Sequence, residues 1–227
     1  MIRIMTYNIR GAIGMDNALS VERIAEVIRN ANARVVCLQE VHTLRKVSKL
    51  GDQPIELAKL LNMRAAFQVN YREGVGGLGN AILTTLDIEH TRSHILTSTG
   101  EQRGVLEVGV RAPEGPLTIF CTHFGLSNDE RVQQAKEMAG WINSAKTAKV
   151  ACGDLNATAK DQPITELLSA TGLFDADADG PMTFDAGNPH KRIDFILPDP
   201  TIKVLGTDVI KTMASDHLPL IADLSLL

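Results

Sequence analysis

The sequence predicts an α/β fold in which two packed β-sheets are flanked by helices. Predicted strands outnumber predicted helices, and several of the helices connect strands that are nearly continuous apolar runs. Such runs are typical of strands that are covered on both faces, as in layered α/β architectures. At 227 residues the chain is long enough for one sizeable core and short for two, so we predict a single domain over residues 1–227.

The first part of the chain alternates strands with helices. Residues 2–9 and 33–40 are short, largely apolar runs, and we predict a strand at each. A helix between them would begin after Ser20, whose hydroxyl suits an N-cap, and would bury Val21, Ile24 and Ile28 on one face. A second helix over residues 54–61 would carry Pro54 in its first turn, where proline is tolerated.

The remainder of the chain is richer in strands. We predict strands over residues 81–85, 89–96, 104–110, 117–123, 149–152, 193–197, 202–209 and 218–224. Helical spacing of apolar residues predicts a helix over residues 129–145 and a shorter one over 164–169. The glycine-rich run at residues 74–79 lacks the Gly-Lys-Ser/Thr ending of a phosphate-binding P-loop, and we predict that it is a flexible loop.

Composition and charge exclude several classes of protein. Apolar residues make up 44% of the chain and charged residues 22%, which is ordinary for soluble globular proteins. No apolar run approaches the roughly 20 residues of a membrane helix, and the chain opens without a signal-peptide pattern, so we expect a cytoplasmic location. The net charge of −4 leaves no overall surplus of cations for non-specific nucleic-acid binding. The sequence carries no signal for an oligomeric state.

Three cysteines lie inside apolar strand-like segments and lack C-x-x-C spacing, so we predict buried free thiols. Strand alternation places Cys121 on the same face as His123, and Cys152 on the same face as the residue two positions later, Asp154. Cys37 lies an odd number of positions before Glu40, and the same alternation predicts that it faces the opposite way.

Polar side chains that suit a metal ion or a phosphate recur where the apolar strands end. They are Asn8, Glu40, His123, Asp154 with Asn156, Asp194, and Asp216 with His217. Ligands of open α/β sheets bind outside the carboxyl ends of strands, so we expect these side chains to form one site. Asp154 and Asn156 could alternatively be turn residues, but a carboxylate inside an apolar strand, such as Asp194, is costly unless paired. Carboxylate and amide oxygens favour Mg²⁺ or Mn²⁺, whereas the Cys and His pairs that zinc prefers are missing.

Six short motifs are individually weak but occur in an informative order. They are Thr6-Tyr-Asn-Ile-Arg, Leu38-Gln-Glu-Val, Thr122-His-Phe, Gly153-Asp-Leu-Asn-Ala, Arg192-Ile-Asp-Phe-Ile and Ser215-Asp-His-Leu-Pro. From residue 6 to residue 219 they resemble the motif series of the endonuclease/exonuclease/phosphatase superfamily, which includes AP endonucleases, DNase I, sphingomyelinases, inositol polyphosphate phosphatases and deadenylases. The resemblance implies a DNase I-like, four-layered α/β sandwich with two central mixed β-sheets flanked by helices.

The resemblance also implies roles for the residues around the metal ion and the attacking water. Glu40 would be the principal ligand of Mg²⁺ or Mn²⁺, and Asn8 and Asp216 would support the metal region. Asp154 would orient or deprotonate the attacking water, and Asn156 would hold a phosphate oxygen.

The remaining candidates would act on the phosphoryl group. The resemblance implies that His217, oriented by Asp194, stabilises its charge and that His123 adds a phosphate contact. Arg103, in Gly100-Glu-Gln-Arg-Gly, resembles the Arg-Gly strand entry of many bacterial and lipid-acting members. It is a candidate phosphate ligand, with a surface salt bridge as the equal alternative.

These observations predict a divalent-metal-dependent phosphoesterase that hydrolyses a phosphodiester or phosphomonoester by attack of a positioned water. We expect a small or lipid-derived phosphate ester as the substrate. The alternative is a Mg²⁺-dependent endonuclease or exonuclease that acts on DNA or RNA. An acidic balance and an aromatic content of 4% disfavour that alternative. A catalytically silent binding module is a third possibility, and the intact set of polar residues argues against it.

Overall fold

The structure is a computed structural model, and it describes residues 1–226. In chain order the strands are β1 (Ile2–Asn8), β2 (Val35–Thr43), β3 (Arg64–Glu73), β4 (Gly76–Thr84), β5 (Asp87–Ile95), β6 (Gly104–Ala112), β7 (Gly115–His123), β8 (Ala148–Asp154), β9 (Asp194–Pro198), β10 (Ile202–Val209) and β11 (Leu220–Leu226). The α-helices are α1 (Val21–Ala31), α2 (Gln53–Leu61), α3 (Asn128–Ser144) and α4 (Gln162–Thr171). Short 3-10 turns lie at Arg10–Ala12 and Lys46–Ser48.

The strands form two mixed sheets. One has six strands in the order β10-β11-β1-β2-β4-β3, and the other has five in the order β5-β6-β7-β8-β9. Each sheet contains one parallel pair, β1 with β2 and β7 with β8, while the other pairs are antiparallel. Each of the four strands in these parallel pairs has a candidate site residue at or near its carboxyl end.

Three apolar cores hold four layers together. The central core lies between the sheets and contains Ile4, Val108 and Ile119. Helices α1 and α2 cover the outer face of the six-stranded sheet, and α3 and α4 cover the outer face of the five-stranded sheet. This layering confirms the predicted DNase I-like sandwich with two central mixed sheets.

Local chemistry explains where the helices begin and end. The hydroxyl of Ser20 accepts a hydrogen bond from the backbone N–H of Arg23 and caps α1, as predicted. Ile24 and Ile28 are buried on the inner face of α1, and the helix ends at Asn32 in the left-handed conformation that asparagine tolerates. The Ser20 cap and the apolar face are local signals, which is why the sequence alone is sufficient to identify them.

Two predictions for residues 64–79 are wrong. Strand β3 was not predicted, because it is an edge strand whose polar and partly exposed residues interrupt the apolar pattern. The predicted flexible loop at residues 74–79 belongs largely to β4, which is buried along its whole length. The glycines there allow close packing: a Cβ on Gly79 would lie 1.7 Å from the backbone oxygen of Gln68. That contact occurs where the register of β3 and β4 shifts, between Val69 and Tyr71.

The predicted orientation of Cys37 relative to its two counterparts is also wrong. Cys37, Cys121 and Cys152 are free and buried, as expected, but all three lie in the core between the sheets. The alternation argument fails because β2 has a bulge between Leu38 and Val41. The bulge inserts one residue, so the regular alternation of faces does not continue from Cys37 to Glu40.

No helix within residues 1–226 is both long and apolar enough to cross a membrane. This agrees with the absence of a long apolar run in the sequence.

Replacing Gly79 with Ala is expected to destabilise the fold by about 1–3 kcal/mol or more, because the new methyl group would collide with the backbone of β3. The control is Gly140→Ala on the exposed face of α3, where a Cβ meets nothing within 4 Å. Alanine there should stabilise the protein by about 0.5–1 kcal/mol. Urea denaturation measures both variants, and equal stability of the two would contradict the role given to Gly79.

Candidate active site

Three candidate residues lie side by side across the five-stranded sheet. His123 ends β7 and is the register partner of Asp154, which ends β8. Asp154 is in turn the register partner of Asp194, the first residue of β9. Register partners project their side chains on the same face of a sheet, so strand pairing alone brings one imidazole and two carboxylates together.

The six-stranded sheet contributes Asn8 and Glu40. Asn8 ends β1 and is fully buried, and Glu40 lies in the bulge of β2 with a φ of 54°. The bulge aims the Glu40 carboxylate at Asn8, whose Nδ2 donates to Glu40 Oε1 at 3.0 Å and to Asp154 Oδ2 at 3.1 Å. Bulges and left-handed non-glycine residues are common beside functional sites, because they re-aim a side chain at a cost in strain.

The segment before β11 supplies the remaining groups. The Ser215 hydroxyl donates to the backbone oxygen of Asn8 at 2.7 Å, and this bond holds the loop against the end of β1. His217 is 5% exposed, and its Nδ1 lies 2.9 Å from Asp194 Oδ2. Its Nε2 lies 3.6 Å from Asp154 Oδ2, so the imidazole stands between two carboxylates.

Asp154 is the centre of the cluster. It is 1% exposed, and besides the contact with Asn8 it accepts the backbone N–H of Asn156 at 2.9 Å. Burial and the neighbouring charge of Asp194 raise the pKa of Asp154 to about 7, against the opposing effects of His217 and the hydrogen bonds. A carboxylate with such a pKa can accept a proton near neutral pH.

His217 carries a positive charge in this setting. Burial lowers the pKa of its imidazole, but Asp194, Asp154 and Asp216 together raise it to about 10. The ligand atoms of Asp154, Asp194 and His217 all lie within 4.8 Å of one another, a separation that would also suit a metal ion. In this protonated state the imidazolium has no lone pair to offer, and the cluster is arranged for proton and charge chemistry.

Glu40 and Asp216 are better suited to hold a cation. Burial raises the pKa of Glu40, and although the hydrogen bond from Asn8 lowers it, the charge of Asp216 raises it further. The Glu40 contact with Asn8 uses Oε1, and no donor within residues 1–226 engages Oε2. Two carboxylates that repel each other in a partly buried site, with only oxygen ligands, fit Mg²⁺ or Mn²⁺.

The side-chain oxygen of Asn8 is already used, because its Oδ1 accepts the backbone N–H of Arg10 at 3.1 Å. In this arrangement Asn8 positions Glu40 and Asp154 by donating to both carboxylates. Asn8 would therefore support a metal ion indirectly, by holding the candidate ligand Glu40.

Arg103 is buried behind His123 rather than exposed at the surface. Its guanidinium lies 3.0 Å from His123 Nδ1 and 2.7 Å from a carboxylate oxygen of Glu101. A guanidinium can only donate, so Nδ1 of His123 is the acceptor and the imidazole proton sits on Nε2. That nitrogen faces Asp154 Oδ2 at 3.4 Å. Burial, Arg103 and His217 lower the pKa of His123 well below its usual value, so this histidine is neutral.

This tautomer affects Asn156. Its Nδ2 lies 2.9 Å from the backbone oxygen of Phe124 and 3.0 Å from His123 Nε2. Because His123 Nε2 carries a proton, it cannot accept from Asn156. One N–H of Asn156 therefore faces another donor and has no acceptor in this arrangement.

The structure brings all nine predicted site residues into this one connected group, with Arg103 reaching it through His123. It also adds two residues that sequence reasoning did not include. Arg10 approaches Asp216 Oδ2 at 3.7 Å, and the charge of Glu101 raises the pKa of Glu40. Arg10 belongs to the first motif and its position two residues after Asn8 could have identified it, whereas nothing local indicates that Glu101 lies near Glu40.

Comparisons with known proteins agree with this geometry. Residues 5–217 match the model of the endonuclease/exonuclease/phosphatase family. The uncharacterized protein YbhP of Escherichia coli strain K12 is 26% identical over 246 residues, which cover 99% of this chain and 96% of YbhP.

Two solved structures have the same fold. The crystal structure of an endonuclease/exonuclease/phosphatase from Beutenbergia cavernae has a TM-score of 0.85 and 25% identity, and the match covers 99% of this chain and 71% of that one. The mannosyl-6-phosphatase Bt3783 of Bacteroides thetaiotaomicron has a TM-score of 0.81 and 19% identity, with full coverage of both chains. Because the family model matches nearly the whole chain, this protein belongs to the endonuclease/exonuclease/phosphatase family, whose members are hydrolases that act on phosphate esters.

Proposed function

We propose that this protein is a divalent-metal-dependent phosphoesterase that hydrolyses a small or lipid-derived phosphate ester by attack of a water held by Asp154. The observation that carries the proposal is the convergence of Asn8, His217 and the Asn156 backbone on one buried carboxylate. A buried carboxylate with a raised pKa beside a positively charged imidazole is an arrangement suited to taking a proton from water while a phosphoryl group gains charge.

Each residue has a definable task in this proposal. Asp154 accepts the proton of the attacking water. His217, held by Asp194, lies beside it as a cation and stabilises the phosphoryl oxygens. Asn156 donates its remaining N–H to a phosphate oxygen.

Family members typically use divalent metal ions. A bound Mg²⁺ or Mn²⁺, held by Glu40 and Asp216, would supply Lewis-acid stabilisation of the phosphate. Asn8 holds the Glu40 carboxylate near Asp154, so that a metal ion on Glu40 would lie near the water-activating group.

We assign Arg103 a positioning role in place of direct phosphate binding. It is 8% exposed and its guanidinium is already engaged by His123 and Glu101. By holding His123 in one tautomer, it directs a proton toward Asp154 and leaves an N–H of Asn156 for the substrate. His123 then serves Asp154, since both of its nitrogens are engaged.

Replacing Glu40 with Gln should abolish metal-dependent hydrolysis and weaken Mg²⁺ or Mn²⁺ binding, because the shape is kept and the charge is lost. Activity is measured with and without EDTA on a phosphodiester, a phosphomonoester, abasic and plain DNA, RNA and a phospholipid headgroup. Calorimetry with the metal alone measures binding. Glu26→Gln on the exposed face of α1 is the matched control. Turnover by wild type that EDTA does not affect would overturn the proposal, and cleavage of nucleic acid alone would select the nuclease alternative.

Replacing Asp154 with Asn should lower kcat by roughly 10²–10⁴-fold, the range expected when a general base is lost. The thermal midpoint checks that the variant is folded, because the substitution also removes a charge that faces the His217 imidazolium. Asp87→Asn, at an exposed ion pair with Arg64, is the control. Near-full turnover of the Asp154 variant would remove this residue from the proton-transfer step.

Replacing Arg103 with Met should lower kcat by about 10–100-fold with little change in KM, which corresponds to the loss of one hydrogen bond to a charged group. Histidine ¹⁵N chemical shifts should show the His123 proton leaving Nε2. Arg111→Met, on the strand β6 that begins directly after Arg103 and in an exposed pair with Glu89, is the control. A rise in KM with unchanged kcat would instead indicate direct phosphate binding.

A further inference from the structure

An exposed apolar and basic surface continues from the end of β2 that carries Glu40, and we call it the rim patch. It consists of residues 44–50, which follow β2, and residues 71–75, at the tip of the β3–β4 hairpin. Its apolar members are Leu44, Val47, Leu50, Tyr71 and Val75, all of them exposed. At 83% exposure, Val75 is the most exposed large apolar side chain within residues 1–226.

The two segments form one continuous surface. Thr43 pairs with Gly77 in the sheet, and Arg45 forms an ion pair with Glu73 across the gap. A Cβ on Gly76 would lie 2.4 Å from the backbone oxygen of Leu44, so the loop packs directly on the hairpin.

The loop is held with its apolar side chains outward. The backbone N–H of Leu44 donates to Gly51 at 2.8 Å, and that of Leu50 donates to Arg45 at 2.9 Å. Leu44, Lys49 and Leu50 all have positive φ, between 50° and 61°. Left-handed conformations at non-glycine residues cost energy and persist where the surrounding structure holds them, commonly at binding sites.

The charge of the rim patch is opposite to that of the whole protein. Arg45, Lys46, Lys49 and Arg72 surround the apolar side chains, whereas the chain has a net charge of −4. Arg45 is paired with Glu73, and within residues 1–226 the other three form no ion pair.

We infer that the rim patch docks the protein on a membrane surface that contains anionic phospholipids. Aliphatic side chains ringed by Lys and Arg suit the boundary between headgroups and acyl chains, and an exposed tyrosine suits the same depth. Nucleic acid would use the cations but gains little from Val47, Leu50 and Val75, because bases stack on aromatic rings. A second copy of the chain would bring like charges together.

Docking through the rim patch would turn the catalytic cleft toward the lipid. Leu44 follows Glu40 by four residues, and Arg45 contacts His42 at 2.9 Å, so the patch continues directly from the end of β2 that carries the candidate metal ligand. The inference goes beyond the proposed hydrolysis, and membrane binding can be measured in the absence of any hydrolysis.

The test is cosedimentation of the full protein with vesicles of phosphatidylcholine alone and of phosphatidylcholine mixed with phosphatidylserine. Wild type should bind the anionic vesicles at low salt and bind less at high salt. The pair Lys46→Glu with Lys49→Glu should lower the partition coefficient about tenfold or more, since each cation contributes about 1 kcal/mol, or roughly fivefold. We expect a similar loss for Val75→Asp, because it places a carboxylate among the apolar side chains of the rim patch.

Two controls make the same kinds of change at exposed positions away from the rim patch. Leu205→Asp and Lys203→Glu lie on the opposite edge of the same sheet, in β10, and Leu205 is 49% exposed against 83% for Val75. Both should bind vesicles as wild type does. Circular dichroism and thermal midpoints check that every variant is folded.

Several outcomes would overturn the inference. They are a wild type that stays in the supernatant with both vesicles, rim-patch variants that bind as the controls do, and self-association in ultracentrifugation that Val75→Asp abolishes. Nucleic-acid binding in a mobility-shift assay, lost in the lysine variants and kept in Val75→Asp, would likewise identify a different partner.

The failure of this inference differs from failure of the proposed function. Turnover of a water-soluble phosphodiester should be unchanged in Val75→Asp, because the rim patch holds no catalytic group. Vesicle binding without any turnover in wild type would leave the docking surface intact and reject the phosphoesterase. Turnover by wild type without vesicle binding would support the phosphoesterase and reject the docking surface.

Discussion

The candidate site depends on one hydrogen-bonded connection between the two sheets, the side-chain amide of Asn8. Its Nδ2 bridges Glu40 of the six-stranded sheet and Asp154 of the five-stranded sheet, and its oxygen is held by the backbone of Arg10. Two carboxylates that would otherwise repel are kept at a defined separation by donors between them. The Ser215 hydroxyl donates to the backbone oxygen of the same asparagine, so the loop that carries His217 is also held at Asn8. Without Asn8 the Glu40 and Asp154 carboxylates would lose the donor that lies between them.

Burying so much charge is costly, and the structure offsets the cost through pairing. Asp194 and Asp154 are each 1% exposed, and an isolated buried carboxylate would be protonated rather than ionised. His217 lies between them and is held as a cation by their combined charge. Electrostatic interactions are stronger in such a water-poor setting, so the groups that are expensive to bury are also the ones that can stabilise a phosphoryl group most effectively. Replacing the cluster with apolar side chains could yield a more stable protein without that capacity.

The end of β2 combines a candidate site residue and an exposed surface loop within a few residues. The bulge at Glu40 turns a carboxylate inward, and four residues later the chain turns outward into a tight, apolar and basic loop. A protein with a net negative charge that concentrates cations beside its cleft has a preferred orientation toward an anionic surface, since the local field guides the approach. A lipid-derived substrate would then meet the cleft already aligned. This arrangement would relate the substrate class to the surface around the candidate site.

The sequence by itself determined the layered architecture, the Ser20 helix cap and the identity of the polar residues at the strand ends. Those features depend on periodicity and on chemistry between near neighbours, as the Ser20 cap shows. Only the tertiary structure decided how distant segments meet. The edge strand β3 lacks an apolar pattern, and the bulge at Glu40 breaks the alternation used for Cys37. Arg103 directly precedes β6, and it reaches His123 because β6 pairs with β7. The rim patch likewise exists only where two loops pack together. Long-range register and packing set these contacts, and no local pattern encodes them.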